Sequence, residues 1–343
     1  MKDNLSSHYF HAEAHALSGK LQLPFEQQIK KQAFVKLEGE SERLLLEGDQ
    51  KPLSDKKAQE NYLSQHSKNY RLEGIISYSA AHTQVSGHRS KKDPRAFVTL
   101  ATSSVENLNV LNVVTADRVV GQISTTHHPN ESSPQVTFLG THFENLRIAR
   151  HQTEPVLNLA FAGDRPQGKD AYYPARGTSL MSSIEKQYER LRTALRGLEP
   201  KHREVMRLDV EDSWLSKQYH GFSDFNYEAL QQKAKDAAAA NGPKWDGVTC
   251  SLVEQVVIDD IKIDKKDGDR IVIPPPARCL GHVIHVPDFG TIFLAELKVN
   301  HNSFHLTMIR LDLGCIADGS ASIVTCNVNG RGGTSGGGGS TTP

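Results

Sequence analysis

The residue types best suited to chemistry stand near the start of the chain, at His8, His11, Glu13 and His15. On a β-strand successive side chains point to opposite faces, so His11, Glu13 and His15 share a face. Two imidazoles and a carboxylate together form a donor set for a divalent cation. Residues four apart on a strand are separated by ~13 Å, so one ion cannot bridge His11 to His15. A site therefore needs adjacent members plus donors from another strand, such as His282 or His285. The competing reading is a histidine-bearing sheet surface with no ion, and His282 and His285 themselves face opposite sides of a strand.

A second set, Asp259, Asp260, Asp264, Asp267 and Asp269, offers calcium-type ligands without the EF-hand spacing or its terminal glutamate. Lys262, Lys265 and Lys266 interleave positive charge there, which favours a solvated hairpin. For nucleophilic catalysis, Gly177-Thr178-Ser179-Leu180-Met181 lacks the second glycine of a nucleophile elbow. The chain has neither a GxxxxGK[ST] loop nor HExxH, and Gly330-Arg331-Gly332-Gly333 is not set between a strand and a helix. No catalytic or cofactor-binding residue is assigned and no cofactor is implied. The sequence leans away from an enzyme.

The elements that must position these residues are organised around an echo. Val105-Glu106-Asn107-Leu108-Asn109-Val110 returns as Phe143-Glu144-Asn145-Leu146-Arg147-Ile148, 38 residues later, with looser versions at 253–258 and 294–299. Self-similarity of this kind signals a repeated structural unit. Glu106, Glu144 and Glu254 recur with the unit and read as cross-strand charge partners. Short β-rich runs bounded by turn residues predict antiparallel sheet. The expected fold is mainly β (α+β overall): two similar antiparallel β modules forming a sandwich or barrel-like body with a helical insertion.

The expected organisation runs as N-terminal strands or arm (1–37), a mobile polar excursion (38–69), a first β module (70–162), a helical insertion (163–245), a second β module (246–329) and a flexible Gly/Ser/Thr tail (330–343). In the insertion, Ser182-Ser183-Ile184-Glu185 reads as a capping box. Ile184, Tyr188, Leu191, Leu195 and Leu198 recur at helical steps on one face. A second helix is expected over about 227–240, stopped by Asn241-Gly242-Pro243. Asp267-Gly268 predicts a turn before Arg270-Ile271-Val272-Ile273.

The run Phe97-Val98-Thr99-Leu100-Ala101-Thr102-Ser103-Ser104-Val105-Glu106-Asn107-Leu108, continued by Thr115-Ala116-Asp117-Arg118-Val119-Val120, resembles a family of uncharacterised bacterial β-rich proteins. The segment Phe138-Leu139-Gly140-Thr141-His142-Phe143-Glu144-Asn145-Leu146 is similar to that family too. The resemblance covers mainly 70–150 and, more loosely, 248–315. It implies a bacterial origin and a β-rich body and brings no catalytic residue with it.

Across 343 residues, 40 Lys plus Arg balance 40 Asp plus Glu, so no bulk charge draws the chain to nucleic acid or an anionic membrane. No window approaches the ~20 apolar residues of a membrane span, and Met1 to Lys20 lacks a signal-peptide pattern. A cytoplasmic location is expected, with export by another route as the alternative. Cys250, Cys279, Cys315 and Cys326 show no CxxC spacing and read mainly as buried thiols. A repeated β framework without catalytic motifs points to a non-enzymatic structural protein. It would self-associate into a homo-oligomer or filament through β-edge and terminal-arm contacts. The alternative is a ligand- or metal-binding β protein, including a hydrolase.

Overall fold

Alternation of apolar and polar residues governs most of the chain, and the computed structural model accordingly is mainly β. It describes residues 8–40, 62–90, 92–93, 95–128, 131–168, 171–206, 208, 214–215, 247–264, 270–314 and 317–329. In chain order these form β1 (Tyr9–Leu21), β2 (Gln27–Gln32), β3 (Val35–Glu40), β4 (Tyr62–Leu72), β5 (Ile76–Arg89), β6 (Phe97–Val110), β7 (Val114–His127), β8 (Gln135–Thr137), β9 (His142–Glu144), β10 (Arg147–Ile148) and β11 (His151–Leu157). Two helices follow, α1 (Ser179–Arg196) and α2 (Pro200–Val205). Then come β12 (Val248–Ser251), β13 (Val253–Ile258), β14 (Ile261–Asp264), β15 (Arg270–Ile273), β16 (Arg278–Leu280), β17 (Val283–Val286), β18 (Gly290–Asn300), β19 (Ser303–Leu313) and β20 (Gly319–Asn329).

The strands build two large antiparallel sheets. The terminal sheet has the order β16-β17-β18-β19-β20-β1-β2, with β12 on β18 and β3 on β1. The central sheet has the order β13-β11-β10-β7-β6-β5-β4, with β8 and β9 on β7. β1, β20 and β19 pack across β5, β6 and β7, and one continuous core joins both sheets to α1. The body is an open sandwich, which corrects the barrel-like alternative.

Several expected boundaries move. The 1–37 stretch carries β1, which is bonded to β20 on one side and to β2 and β3 on the other, with Ala12, Ala14 and Leu21 fully buried. An interior strand is not a free arm. The 38–69 excursion contributes to β3 and β4, with 41–61 outside the described residues. Between Tyr70 and Tyr78 the chain turns at Glu73 and Gly74, both at positive φ, which separates β4 from β5. β13 leaves the expected second module and joins the central sheet beside β11.

Helix α1 begins ahead of the expected capping box. Thr178 Oγ1 accepts from the Met181 N–H, so the helix opens at Ser179. Its buried face includes Ile184 and Leu191, with Tyr188, Leu195 and Leu198 packed at the margin. The second expected helix, the Asp267-Gly268 turn and the Gly/Ser/Thr tail lie outside the described residues. No helix among the described residues is long and apolar enough to cross a membrane.

The echo at Asn107 and Asn145 has a backbone cause. Asn69, Asn107 and Asn145 all adopt left-handed φ, near 50°. They occupy alternate strands along one line of the central sheet. Register is the same on either side of the line: Glu106 opposes Arg118 and Leu108 opposes Ala116. The strands therefore bend together. The buried face of β6 switches from odd residues (Val105) to even ones (Leu108) across the bend. Asparagine suits this position because its short amide tolerates the left-handed region and can bond locally. Asn107 Nδ2 donates to Ser79 Oγ at 2.8 Å, and Asn145 Nδ2 to Asp117 Oδ2 at 2.6 Å, each on the neighbouring strand.

The terminal sheet bends likewise along Ala295, Met308, Val324 and Ala16, with Ala295 and Val324 at φ 47° and 56°. There Leu294 opposes Ile309, and Glu296 opposes Thr307, with the register again continuous. Here two successive residues of each strand point inward, and the central sheet meets them with the small row Thr83, Ser103 and Gly121. Ser103 Oγ donates to His15 O at 3.0 Å and Cys326 Sγ to Gly121 O at 3.2 Å. A Cβ on Gly121 would lie 2.9 Å from Val324 Cγ1 and 3.0 Å from Met308 Cγ.

Gly121→Ala is expected to lower stability by ~1–3 kcal/mol, as overpacking does. Asn107→Val, which places a β-branched residue in the left-handed region, is expected to cost ~1–2 kcal/mol, and Asn107→Gly to be tolerated. Urea denaturation checks both; an unchanged midpoint for Asn107→Val would show that the left-handed conformation is not required.

Candidate functional site

The inward direction of Phe10, Ala12 and Ala14 sends His11, Glu13 and His15 to the outer face of the terminal sheet. His11 Nε2 lies 3.8 Å from Glu13 Oε1, but Lys31 Nζ and Lys36 Nζ approach the same carboxylate at 3.5 and 3.7 Å. Lys36 also pairs with Glu38 at 2.6 Å, and Tyr9 donates to Glu38 at 2.7 Å. Glu13 is thus surrounded by ammonium groups. Neither His282 nor His285 reaches this set, because β18, β19 and β20 stand between β17 and β1. The histidine that the fold does bring near is His305 on β19, in register with Asn327, itself in register with Glu13. No group of three or more His, Cys, Asp or Glu able to share a metal ion occurs among the described residues.

One row deeper, His15, Thr325, Thr307 and Glu296 lie in register on four adjacent strands and are all buried. Glu296 receives two bonds from Arg310, at 2.6 and 3.1 Å, and Arg310 donates a third to Asp312 at 2.6 Å. The guanidinium carbon sits 3.5 Å from the centre of the Phe293 ring, with Trp214 edge-on to that ring. Arginine's planar fork suits this bidentate, stacked role, so the cluster ties β18 to β19 across the outer face.

His15 Nε2 and Ser18 Oγ are 2.9 Å apart, a spacing compatible with a nucleophile and its base. No carboxylate hydrogen-bonds that ring among the described residues. Burial, then Lys31 and His305, hold the imidazole down at about 3, so it is a weak base at neutral pH. The pair is better suited to satisfying polar groups at the bend in β1.

The other expected carboxylates have structural partners. Arg118 lies in register between Glu106 and Glu144, and Glu254 accepts from Asn158 Nδ2 at 3.1 Å. Asp259 and Asp260 are exposed, while 265–269 lie outside the described residues. Cys250 and Cys326 are buried free thiols and Cys279 is an exposed one; Cys315 lies outside the described residues.

A histidine cluster that sequence reasoning missed closes one end of the sandwich. His8 stacks on Phe97 at 4.8 Å, meets Phe10 edge-on, and lies 5.1 Å from His127. Phe97 and His127 are in register on β6 and β7, while His8 comes from the opposite sheet. Burial, then His127, lowers His8 to about 3; burial, then His128 and Arg165, lowers His127 to about 4. His305 is lowered to about 4 by burial and then by Lys298 and Lys31, and His282 to about 3 by burial and then Arg310.

These rings fold as neutral groups. Below the ordinary histidine value near 6.5 the unfolded chain binds protons that the folded chain refuses, until pH reaches about 3–4. Their stabilisation is therefore complete above ~6.5 and is lost as pH falls through that window, by at most ~1.4 kcal/mol per pH unit for each ring. Urea midpoints measured at neutral and mildly acidic pH should drop steeply for the wild type and less steeply for His127→Phe. Equal slopes would remove His127 from the effect.

The longest open edge is β4. Its burial alternates weakly, Tyr62 and Leu63 stay 43% and 40% exposed, and within the described sheets its 11 residues are bonded only to β5. The edge at the other end of this sheet, β13, has 6 residues, and β16, at the end of the terminal sheet, has 3.

Residues 58–300 match the model of a family described as a domain of unknown function (DUF8256), and the chain belongs to that family. The match runs continuously through α1 and α2, beyond the segments that carry the sequence resemblance. No curated protein and no solved structure matches the chain.

Proposed function

We propose that this member of the family is a non-enzymatic structural protein that associates with further copies of itself, as an oligomer or filament, through open sheet edges. The observation that carries the reading is β4. A long edge strand presents a row of unpaired backbone donors and acceptors, and natural edges of that kind are usually shortened, covered or charged. Among its 11 residues only Lys68 and Arg71 are charged in this way, and the 62–68 stretch carries no proline. Antiparallel addition of a neighbouring β4 about a two-fold axis extends the central sheet and covers Tyr62 and Leu63.

Because β1 is bonded on both sides, strand exchange by the N-terminus is not part of this reading. The Gly/Ser/Thr tail that follows β20 remains its second contact. His15 and His305, held neutral by burial, belong in this reading to the block and not to a reaction.

Edge lysines test the idea. Leu63→Lys with Gln65→Lys is expected to shift the protein to smaller species by sedimentation velocity and light scattering, with thermal stability changed by only ~0.5 kcal/mol, as at exposed sites. A wild type that stays monomeric at high concentration, or assemblies unchanged by the lysines, would rule out the β4 interface.

A further inference from the structure

β4 and β5 pair so that Gln65 opposes Thr83 and His66 opposes His82. Thr83 is buried, and its hydroxyl donates to Ala33 O on the opposite sheet, so the adjoining pair, His66 and His82, points away from the core. Their imidazole rings lie with centres 4.4 Å apart, inclined at 45°. His66 is exposed and His82 half-buried, and none of the hydrogen bonds or ion pairs among the described residues engages either ring. That sets them apart from His15, His142 and His151, whose ring nitrogens meet Ser18, Glu144 and the Asp259 carbonyl.

The rows on either side place no net charge beside the pair. On one side Ser64, Gln84 and Thr102 lie in register, all uncharged. On the other, Lys68, Glu106, Arg118 and Glu144 lie along one row, two cations against two carboxylates. Burial, then His66 and Arg118, lowers the His82 imidazole, which keeps a nitrogen lone pair available for a ligand.

Two imidazoles in register on adjacent strands form a bidentate donor set. One ion can join them only if their ligating nitrogens come within roughly 4 Å of each other, since metal-to-nitrogen bonds are about 2.0–2.1 Å long. Rings centred 4.4 Å apart can satisfy this by side-chain rotation, with the backbone in place. The geometry points to a surface site for a borderline divalent transition metal, of the Ni²⁺, Zn²⁺ or Cu²⁺ type, held between His66 and His82 with water in the remaining positions. Imidazole nitrogen selects such ions over the oxygen-seeking Mg²⁺ and Ca²⁺. With fewer protein ligands than a resident zinc site has, the ion is exchangeable. The site goes beyond self-association and does not depend on it. Its rings project from the outer face, whereas pairing of one β4 with another uses backbone groups in the plane of the sheet.

Calorimetric titration of the full-length, chelator-treated chain with Ni²⁺ tests the assignment. A saturable site is expected that excess Mg²⁺ does not displace. His66→Ala and His82→Ala should each weaken it on the order of tenfold or more, since losing an outer-shell partner alone already costs that much. The double variant should lose little beyond either single one, because one imidazole cannot chelate. His82→Gln serves if His82→Ala does not melt cooperatively. His142→Ala, on the same face, should bind as the wild type does. Leu63→Lys with Gln65→Lys, which targets the β4 interface, should also leave the affinity unchanged, so failure of the self-association reading is visible separately. Absence of saturable binding, an affinity that survives either alanine, displacement by Mg²⁺, or loss of binding in His142→Ala would each overturn the site.

Discussion

The constraint on which the rest of this structure depends is the in-register bend that runs across each sheet. A bend confined to one strand would break the ladders on both sides. Here β4 to β7 of the central sheet, and β18, β19, β20 and β1 of the terminal sheet, share one line, so the hydrogen-bonded register between them resumes unchanged beyond it. The cost is a left-handed residue on alternate strands. In the central sheet asparagine takes that position and recovers part of the cost through bonds to Ser79 and Asp117. In the terminal sheet Ala295 and Val324 take it without a polar side chain, and the packing of the inward pairs against Gly121 and Ser103 offsets the strain.

The two sheets are therefore shaped to each other and are not independent modules. Side chains reach across the core to main-chain carbonyls, as Ser103 does to His15 and Thr83 does to Ala33. β1 completes the terminal sheet only by pairing with β20, which joins the two ends of a long chain. Closing a loop of that length is entropically costly. The domain match to 58–300 lacks β1, β2, β3, β19 and β20, strands that the sandwich uses.

Charge and burial divide the chemistry-bearing residues into two groups. On the outer face, carboxylates meet lysine or arginine: Glu13 with Lys31 and Lys36, Glu296 with Arg310. Inside, burial holds His8, His127 and His282 well below the ordinary histidine value, so these rings are neutral.

The sequence by itself determined the β class and the helical face of α1. These rest on local rules: period-two burial and period-3.6 spacing of Ile184, Tyr188, Leu191 and Leu195. The echo at Asn107 and Asn145 is visible in it only as a repeat, and the left-handed turn of its asparagines is seen in the fold alone. It also put His11, Glu13 and His15 on one face correctly, since alternation alone decides that. Only the tertiary structure decided what those residues face. The proximity of His15 to His305, the stacking of His8 on Phe97 and His127, and the transfer of β13 to the central sheet all depend on strand order. Strand order is set by which faces bury each other across the whole core, and no spacing within a single segment carries that information. For the same reason β1 looked like a free arm: its pattern is that of any half-buried strand, and its interior place comes from β20, at the far end of the chain.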